Sequence, residues 1–449
     1  MANVIKLRKG LNINLKGKAI AGKAVKVHSK EYALEPDAFV GVTPKLVVKE
    51  GDHVLAGEAL FVNKACPDVK FASSVSGTVT AVVRGERRKV LRVVVEADSE
   101  QSFHDFGRFD AGALDGDGVK QALLDAGLFG YINQLPYAVS TTPDTQPKGI
   151  FVSALRDMPL AADFEVELQG NEEAFKTGLV ALSRIAPLHL GIGPNQKAEV
   201  LTNVKDVDLN VFDGPCPAGN VGVQVNHLDP VNKGEIVWTV DPTAVIFFGR
   251  FFLTGKVDLT RTIAVAGSRV KEPHYVEALV GTPLKDILDG QIVEGDVRII
   301  NGNPLTGKHD SLDGYLGAHT SEVTVIPEGS HRDEMLGWIL PRTKEFSTSR
   351  SYFSWLMGKN REYDIDARVK GGERHLIMSG EYDKVLPMDI YGEYLIKAII
   401  TGDIDKQEQL GIYEVSPEDF ALAEFVDSSK LELQKIVRQG LLTLRKENA

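Results

Sequence analysis

Cysteine is nearly absent from this chain of 449 residues: there are two, Cys66 and Cys216, 150 positions apart. That excludes a CxxC metal knuckle, a four-thiolate iron–sulfur site and a disulfide framework, and it fits a reducing compartment. Long apolar runs are missing as well. Nothing approaches the roughly 18 uninterrupted apolar residues of a membrane span, and the best candidate, Val245 to Leu253, is broken by Arg250. At the start, Lys6, Arg8 and Lys9 are followed by Gly10, Asn12 and Asn14, where a signal peptide needs an apolar core. The chain is therefore expected to be soluble, meeting any membrane through a partner or a surface contact. There is no G-x-S-x-G elbow, Walker loop, HExxH or cysteine–histidine cluster. None of the ten histidines pairs with another at metal-ligand spacing on a helix; His189 and His227, in apolar strand-like surroundings, read as core histidines. No redox centre, metal or covalent catalyst is expected. Positive charge is also in deficit: 51 Lys+Arg against 62 Asp+Glu leave −11, which argues against a nucleic-acid partner.

What is present is an ordinary globular mix, 43% apolar and 25% charged. At about 150 residues per domain the length predicts roughly three domains. Aromatics at 7%, with 43 Gly and 20 Pro, favour turns and short strands over long bundled helices. Residues 36 to 96 read as β throughout, with turns at Gly51-Asp52 and Ala56-Gly57. Gly77 is expected to permit a sharp turn into the strand Thr78 to Val83, and Val90 to Glu96 closes the unit. The pattern "VKxGDxVxxGxxLF…ASxVSGTV" resembles the flattened barrel of biotinyl and lipoyl carrier domains. Lys64 lies near the place of a carrier's modified lysine, but the loop reads as long and lacks the expected acidic or Met-Lys-Met tip. No covalent modification is expected there.

Residues 118 to 255 alternate between strand and helix patterns, which implies a parallel α/β sheet. Val119 to Ala126 ends at the C-cap signal Gly127; strands are read at Gly149 to Leu155, Leu188 to Ile192 and Asp208 to Phe212. Helices are read at Glu172 to Ile185 and from Pro242 behind the N-cap Asp241. The loop Asp213 to Gly222 is a poor phosphate cradle. Pro215 and Pro217 each remove an N–H, and no lysine or arginine lies among residues 206 to 232. The sheet is expected to keep a dinucleotide-type shape without that ligand. Four strands around one short helix, Pro283 to Leu288, give a β-grasp module over 261 to 326. Beyond 330 the pattern is helical, with helices read at Pro387 to Ile400, from Ser416-Pro417, and at Leu431 to Arg445. That last helix has an apolar stripe and five cations between 430 and 446, so it either lies on anionic lipid or a partner, or packs on its own domain.

The expected class is multidomain α+β. It comprises a biotinyl/lipoyl-like barrel-sandwich domain (1–104), a degenerate Rossmann-like α/β domain without nucleotide (105–256), a β-grasp (SLBB/ubiquitin-like) domain (257–329) and a mostly helical C-terminal domain (330–449).

The segments "GVQVNHLDPVNKGEIVWTVDPTAVIFFGRFFLTG" (222–255), "RTIAVAGSRVKEPHYV" (261–276), "GWILPRTKEFSTSRSYFS" (337–354) and the long run 371–426 resemble the NqrA family, one of the component chains of the Na+-translocating NADH:quinone oxidoreductase. The opening "IKLRKGLNINLKGKA" and the barrel motif are similar too. A related component of the Rnf-type complex adds cysteine-rich ferredoxin motifs, which two cysteines cannot supply. The resemblance implies a six-subunit enzyme of the bacterial inner membrane. It passes electrons from NADH through FAD, FMN, riboflavin and an iron–sulfur centre to ubiquinone or menaquinone, and exports Na+. It further implies that this chain is peripheral on the cytoplasmic side, holds none of those cofactors, and partners the five other subunits (NqrB to NqrF), membrane-embedded NqrB most closely. One departure is Asp427, where members often carry cysteine, so any role of that thiol does not transfer.

Quinone contact in the family is associated with two stretches, which here read Pro36 to Val42 and Gly130 to Tyr137. The candidates are Phe39, Val40, Gly41, Tyr131, Asn133, Gln134, Pro136 and Tyr137. Phe39, Tyr131 and Tyr137 would line an apolar slot and Asn133 or Gln134 would donate to a carbonyl; the alternative is interdomain packing. Two rival functions stay open: a lipoyl- or biotinyl-type carrier or scaffold using Lys64, and a free-standing flavin- or NAD-dependent oxidoreductase.

Overall fold

A seven-stranded sheet forms the centre of the computed structural model, which describes residues 2–330, 340–358 and 361–448. Its order is Asn3–Lys6, Asp208–Asp213, Leu188–Ile192, Ile150–Ser153, Val237–Val240, Ile132–Leu135 and Val139–Ser140. The first five run parallel, and the last two form an antiparallel hairpin on the edge. Ile150–Ser153 and Val237–Val240 are buried at every position, as a parallel sheet covered on both faces requires. Helices Glu172–Ser183 and Pro242–Thr254 pack with Ile150, Val152 and Trp238 on one face; helix Val221–Leu228 meets Phe151 and Val237 on the other.

The two helices on the first face nearly touch backbones. A Cβ on Gly249 would fall on the Ala174 carbonyl, and one on Gly178 on the Val245 carbonyl. The N-cap of Pro242–Thr254 is the expected one: the Asp241 carboxylate accepts from the Thr243 N–H at 2.9 Å, and Gly255 closes the helix at φ 70°. Helix Val221–Leu228 and strand Val237–Val240 went unread because each is short and lacks a clear period.

Residues before Glu31 are shared out. Asn3–Lys6 adds an edge strand to the α/β sheet and Val25–Lys26 pairs with His274–Leu279 of the β-grasp sheet. Their backbone pairing is therefore not with the barrel strands, with which the boundary 1–104 groups them. The barrel consists of the sheet Glu31–Leu34, Val90–Ala97, Gly77–Arg84, His53–Val54 and the sheet Pro44–Leu46, Ala59–Asn63, Cys66–Ala72. Two expectations change here. Gly77 is needed for close strand approach rather than for a turn, since a Cβ there would overlap the Glu96 carbonyl across the ladder. The loop at Lys64 is not long: Asn63 pairs with Cys66, so Lys64 and Ala65 form a tight exposed hairpin.

The β-grasp unit has the order Lys308–Asp310, Val297–Asn301, Glu322–Pro327, Thr260–Ala266, His274–Leu279, Val25–Lys26, with helix Leu284–Ile287 in its core. In the C-terminal part, helix Gly392–Thr401 starts later than read and ends at Gly402 (φ 71°). Ser416 and Asp419 form a capping box ahead of Ala421–Val426. The terminal helix Leu433–Glu447 buries Leu433, Val437, Gly440, Leu441 and Leu444 in a cluster that includes Leu7, Phe212 and Val223. Its apolar stripe thus packs on the α/β unit. Asp427 is buried and its carboxylate accepts from the Ser429 and Leu431 N–H groups, at 3.0 and 2.8 Å. Of the stretch 337–354, residues 337–339 lie outside the described residues.

Gly249→Ala is expected to destabilise the fold by about 1–3 kcal/mol through overpacking against Ala174. Gly372→Ala, where a Cβ meets open space, should change the denaturation midpoint little.

Candidate functional site

From Ile150–Ser153 the chain winds outward through Leu188–Ile192 and Asp208–Asp213, then crosses back to place Val237–Val240 on the other flank. The carboxyl ends of Ile150–Ser153 and Val237–Val240 therefore bound a topological switch point, where open α/β sheets bind ligands. A cavity of about 550 Å³ lies there. All four units wall it: Val40 from the barrel side, Asn133 and Leu155 from the sheet, Asn303 from the β-grasp unit, and Glu418 and Arg438 from the C-terminal part.

Beneath one wall lies a buried ionic junction. The Arg156 guanidinium donates to Glu167 at 3.0 Å and to the Thr243 hydroxyl at 2.8 Å, and approaches Asp241 at 3.5 Å. Thr243 donates to Glu167 at 2.9 Å and accepts from Arg261, which also donates to the Ala318 carbonyl and to Ser321. Burial works against the charge of Arg156, but Glu167, Asp241 and Glu322 outweigh it and raise its pKa. Arg261, only 1% exposed, is held below the usual range by burial. Burial pushes His319 down to about 4 despite Asp241, so this cavity-lining imidazole is neutral at pH 7.

The phosphate position of such a sheet is occupied by carboxylates. The Gly219 N–H donates to Asp157 at 3.0 Å, and the Asn220 amide donates to Asp419 at 3.4 Å. At Gly222, in the first turn of helix Val221–Leu228, a Cβ would collide with the Asp419 carboxylate. Burial raises Asp157 to about 6, Asp419 to about 6 and Glu418 to about 7. With Pro215 and Pro217 removing donors and the nearby Arg156 engaged by Glu167, a dinucleotide or flavin phosphate does not fit. Among the described residues no group of three or more His, Cys, Asp or Glu is placed to hold a metal ion, and no helix is long and apolar enough to cross a membrane.

Of the residues read from sequence, Val40 and Asn133 line the cavity. Among the described residues the Asn133 side chain makes no hydrogen bond, whereas Gln134 points to the other face of its strand and accepts from Thr141 at 2.8 Å. Phe39 and Tyr131 are buried behind the cavity, edge to face at 5.2 Å, and both contact His319. The Tyr131 hydroxyl has no partner among the described residues, and burial raises its pKa. Tyr137 packs with a different cluster: its hydroxyl accepts from Asn448 at 3.2 Å and its carbonyl from Arg438 at 3.1 Å. Pro136 is buried, and exposed Gly41 (φ 83°) sits against Val139 and Arg445. His189 stacks on Phe151 at 4.5 Å, and His227 bonds through its ring to the Val223 carbonyl at 2.9 Å. Arg156, Asp157, Glu167, Arg261, Glu418 and Asp419 went unread as site residues. The available signal was an arginine and an acid directly after a buried strand, at the end where such sheets bind.

Arg156→Met should cost about 3–5 kcal/mol of stability in denaturant titration, because Glu167 is left buried and unpaired. Glu418 favours its protonated form in the fold, so the folded chain holds more protons than the unfolded one up to about pH 7. Stability should therefore fall as pH rises through that window. Glu418→Gln should flatten the fall, gaining stability over the parent more at pH 8 than at pH 5.5, as thermal melts would show.

Three family models match: the NqrA N-terminal barrel-sandwich hybrid domain over residues 5–98, the NqrA second alpha/beta domain over 114–257, and the NQRA C-terminal domain over 262–311. A protein of Neisseria meningitidis serogroup B, named as the NqrA component of Na(+)-translocating NADH-quinone reductase, is 34% identical over 456 residues, covering 99% of this chain and 100% of its own. Proteins of the same name from Yersinia pestis and Photorhabdus laumondii are each 33% identical, with the same coverage. A solved NAD+-reducing [NiFe]-hydrogenase overlaps 75% of this chain and 62% of its own at 12% identity and a TM-score of 0.35, too low to carry an argument. Aligned from end to end with these relatives and matched in three successive domains, the chain belongs to the NqrA family of the Na+-translocating NADH-quinone reductase.

Proposed function

We propose that this chain is the peripheral, cytoplasmic-side component of a Na+-translocating NADH:quinone reductase, that it carries no redox centre itself, and that its switch-point cavity borders the quinone. FAD, FMN, riboflavin and the iron–sulfur centre then reside in the five other subunits (NqrB to NqrF), of which membrane-embedded NqrB is the closest. The observation that carries this reading is the placement of Asp157 and Asp419 where a nucleotide phosphate would sit. Like charges exclude a phosphate there, yet the cavity remains.

What remains suits a quinone ring. Val40, Leu135, Leu155 and Met158 supply apolar wall. The unpaired Asn133 amide is a donor for a ring carbonyl, and Phe39 and Tyr131 stiffen the wall behind His319. In this reading the chain's residues bind and orient the ring and restrict water, while neighbouring subunits deliver electrons.

One observation favours a second reading: the tight exposed hairpin at Lys64, the shape a carrier domain uses to present its modified lysine. Intact mass separates the two, since a lipoyl or biotinyl increment on Lys64 would support the carrier. For the leading reading, a short-chain quinone titrated against the full chain should bind at least about tenfold more weakly to Val40→Trp, which fills the cavity, and more weakly to Asn133→Leu, which removes one hydrogen bond. Unchanged affinity in both variants would remove the cavity from the quinone site.

A further inference from the structure

The stretch 340–358 carries side chains that the rest of the fold leaves unused. It is tied down by Phe346, whose ring meets Tyr363 at 5.2 Å and Phe425 at 5.7 Å, and by the pairing of Glu345 with Lys370. Beyond this anchor the chain turns back, and the Phe353 N–H donates to the Pro341 carbonyl at 3.0 Å. That bond sets Leu340 beside the short 3-10 turn Phe353–Met357, in which Ser354 alone is buried. The other four side chains of the turn and Leu340 stand out: Leu340 is 56% exposed, Phe353 53%, Trp355 48%, Leu356 63% and Met357 53%.

Five large apolar side chains gathered on one turn are costly to leave in water, and such patches mark contact surfaces. The charges around them say what kind. The Arg342 guanidinium lies over the Tyr352 ring at 5.2 Å and that of Arg350 over Trp355 at 5.5 Å; Lys344 is exposed beside them. Over 340–358 these three cations face one acid, Glu345, which is itself paired, in a chain whose net charge is −11. Cations riding on aromatic rings around an apolar tip match the chemistry of a lipid interface, where rings sit at headgroup level and guanidinium groups meet phosphates.

We propose that this face rests on an anionic lipid bilayer, with Trp355, Leu356 and Met357 at the headgroup–acyl boundary and Arg342, Lys344 and Arg350 among the lipid phosphates. The competing occupant is the cytoplasmic loops of a membrane protein. Such loops are enriched in Lys and Arg and would repel the three cations, whereas anionic headgroups attract them. One turn is too small to anchor a protein by itself, so the contact is weak and reversible and adds to whatever protein contacts hold the chain in place. The inference rests on the chain working beside a membrane, not on what its cavity binds.

The test is co-sedimentation of the full chain with vesicles of phosphatidylcholine containing about a third phosphatidylglycerol, against vesicles of phosphatidylcholine alone. Binding is expected to the anionic vesicles only, to weaken with added salt, and to shift tryptophan emission to the blue through Trp355, since Trp238 is already fully buried. Arg350→Gln should weaken it about fivefold, the loss of one cation, and Leu356→Ser with Met357→Ser about tenfold. All three substitutions are at exposed positions, and quinone affinity should stay unchanged in them, which keeps this result separate from that of the cavity. Absence of binding to anionic vesicles, or binding that ignores these substitutions, overturns the proposal. So does a loss of affinity for the purified membrane-embedded subunits in the same variants without any vesicle effect, which assigns the face to a protein instead.

Discussion

Two guanidinium groups share one hydroxyl in the interior of this protein, and the arrangement of its domains depends on them. Arg156 leaves the end of strand Ile150–Ser153 and Arg261 comes from the β-grasp strand Thr260–Ala266; both donate to Thr243 at the start of helix Pro242–Thr254. Thr243 passes the bond on to Glu167. Charges taken out of water are tolerated only where geometry satisfies them, so the α/β and β-grasp units sit in the one orientation that pairs both arginines. That orientation also fixes Asn303, His319 and Glu322 as a wall of the cavity.

The same economy of charge explains why a sheet of dinucleotide type carries no nucleotide site. Such a sheet offers a crevice at its switch point and a helix whose first N–H groups face it. Here the crevice is retained but its anionic partner is built in: Asp157 and Asp419 hold the loop and the first turn of helix Val221–Leu228. Asp419 arrives from a capping box nearly 200 residues away in sequence, so the C-terminal part acts as a plug on the α/β unit. The fold persists while its usual ligand is displaced, because chemistry resides in the site rather than in the architecture.

The terminal helix shows how an amphipathic pattern is resolved by what lies next to it. Its stripe and its cations suit a membrane surface or a protein surface equally well. In the structure the stripe is covered, and Arg438 is spent on the carbonyls of Tyr137 and Ala138. The exposed apolar residues lie instead in the stretch 340–358, which has no regular periodicity for a sequence reading to detect.

Local signals in the sequence were enough for the elements whose residues argue for themselves. Asp241-Pro242 starts a helix because a carboxylate caps N–H groups and proline tolerates the first turn. Leu188 to Ile192 is a strand because its apolar run is bounded by turn residues, and the valine-rich Val90 to Glu96 is a strand by β-branching. The motifs at 36–96 and 222–276 likewise carried the family. Tertiary structure alone decided what depends on residues far apart. Asn3–Lys6 finds its partner some 200 positions on; Asn133 reaches the cavity while Gln134, one residue along the strand, faces away. Phe39 and Tyr131 close on each other behind His319, and Tyr137 joins another cluster. Side-chain direction and the meeting of distant carboxylates with a helix start are set by packing across domains, and no local pattern of residues encodes them.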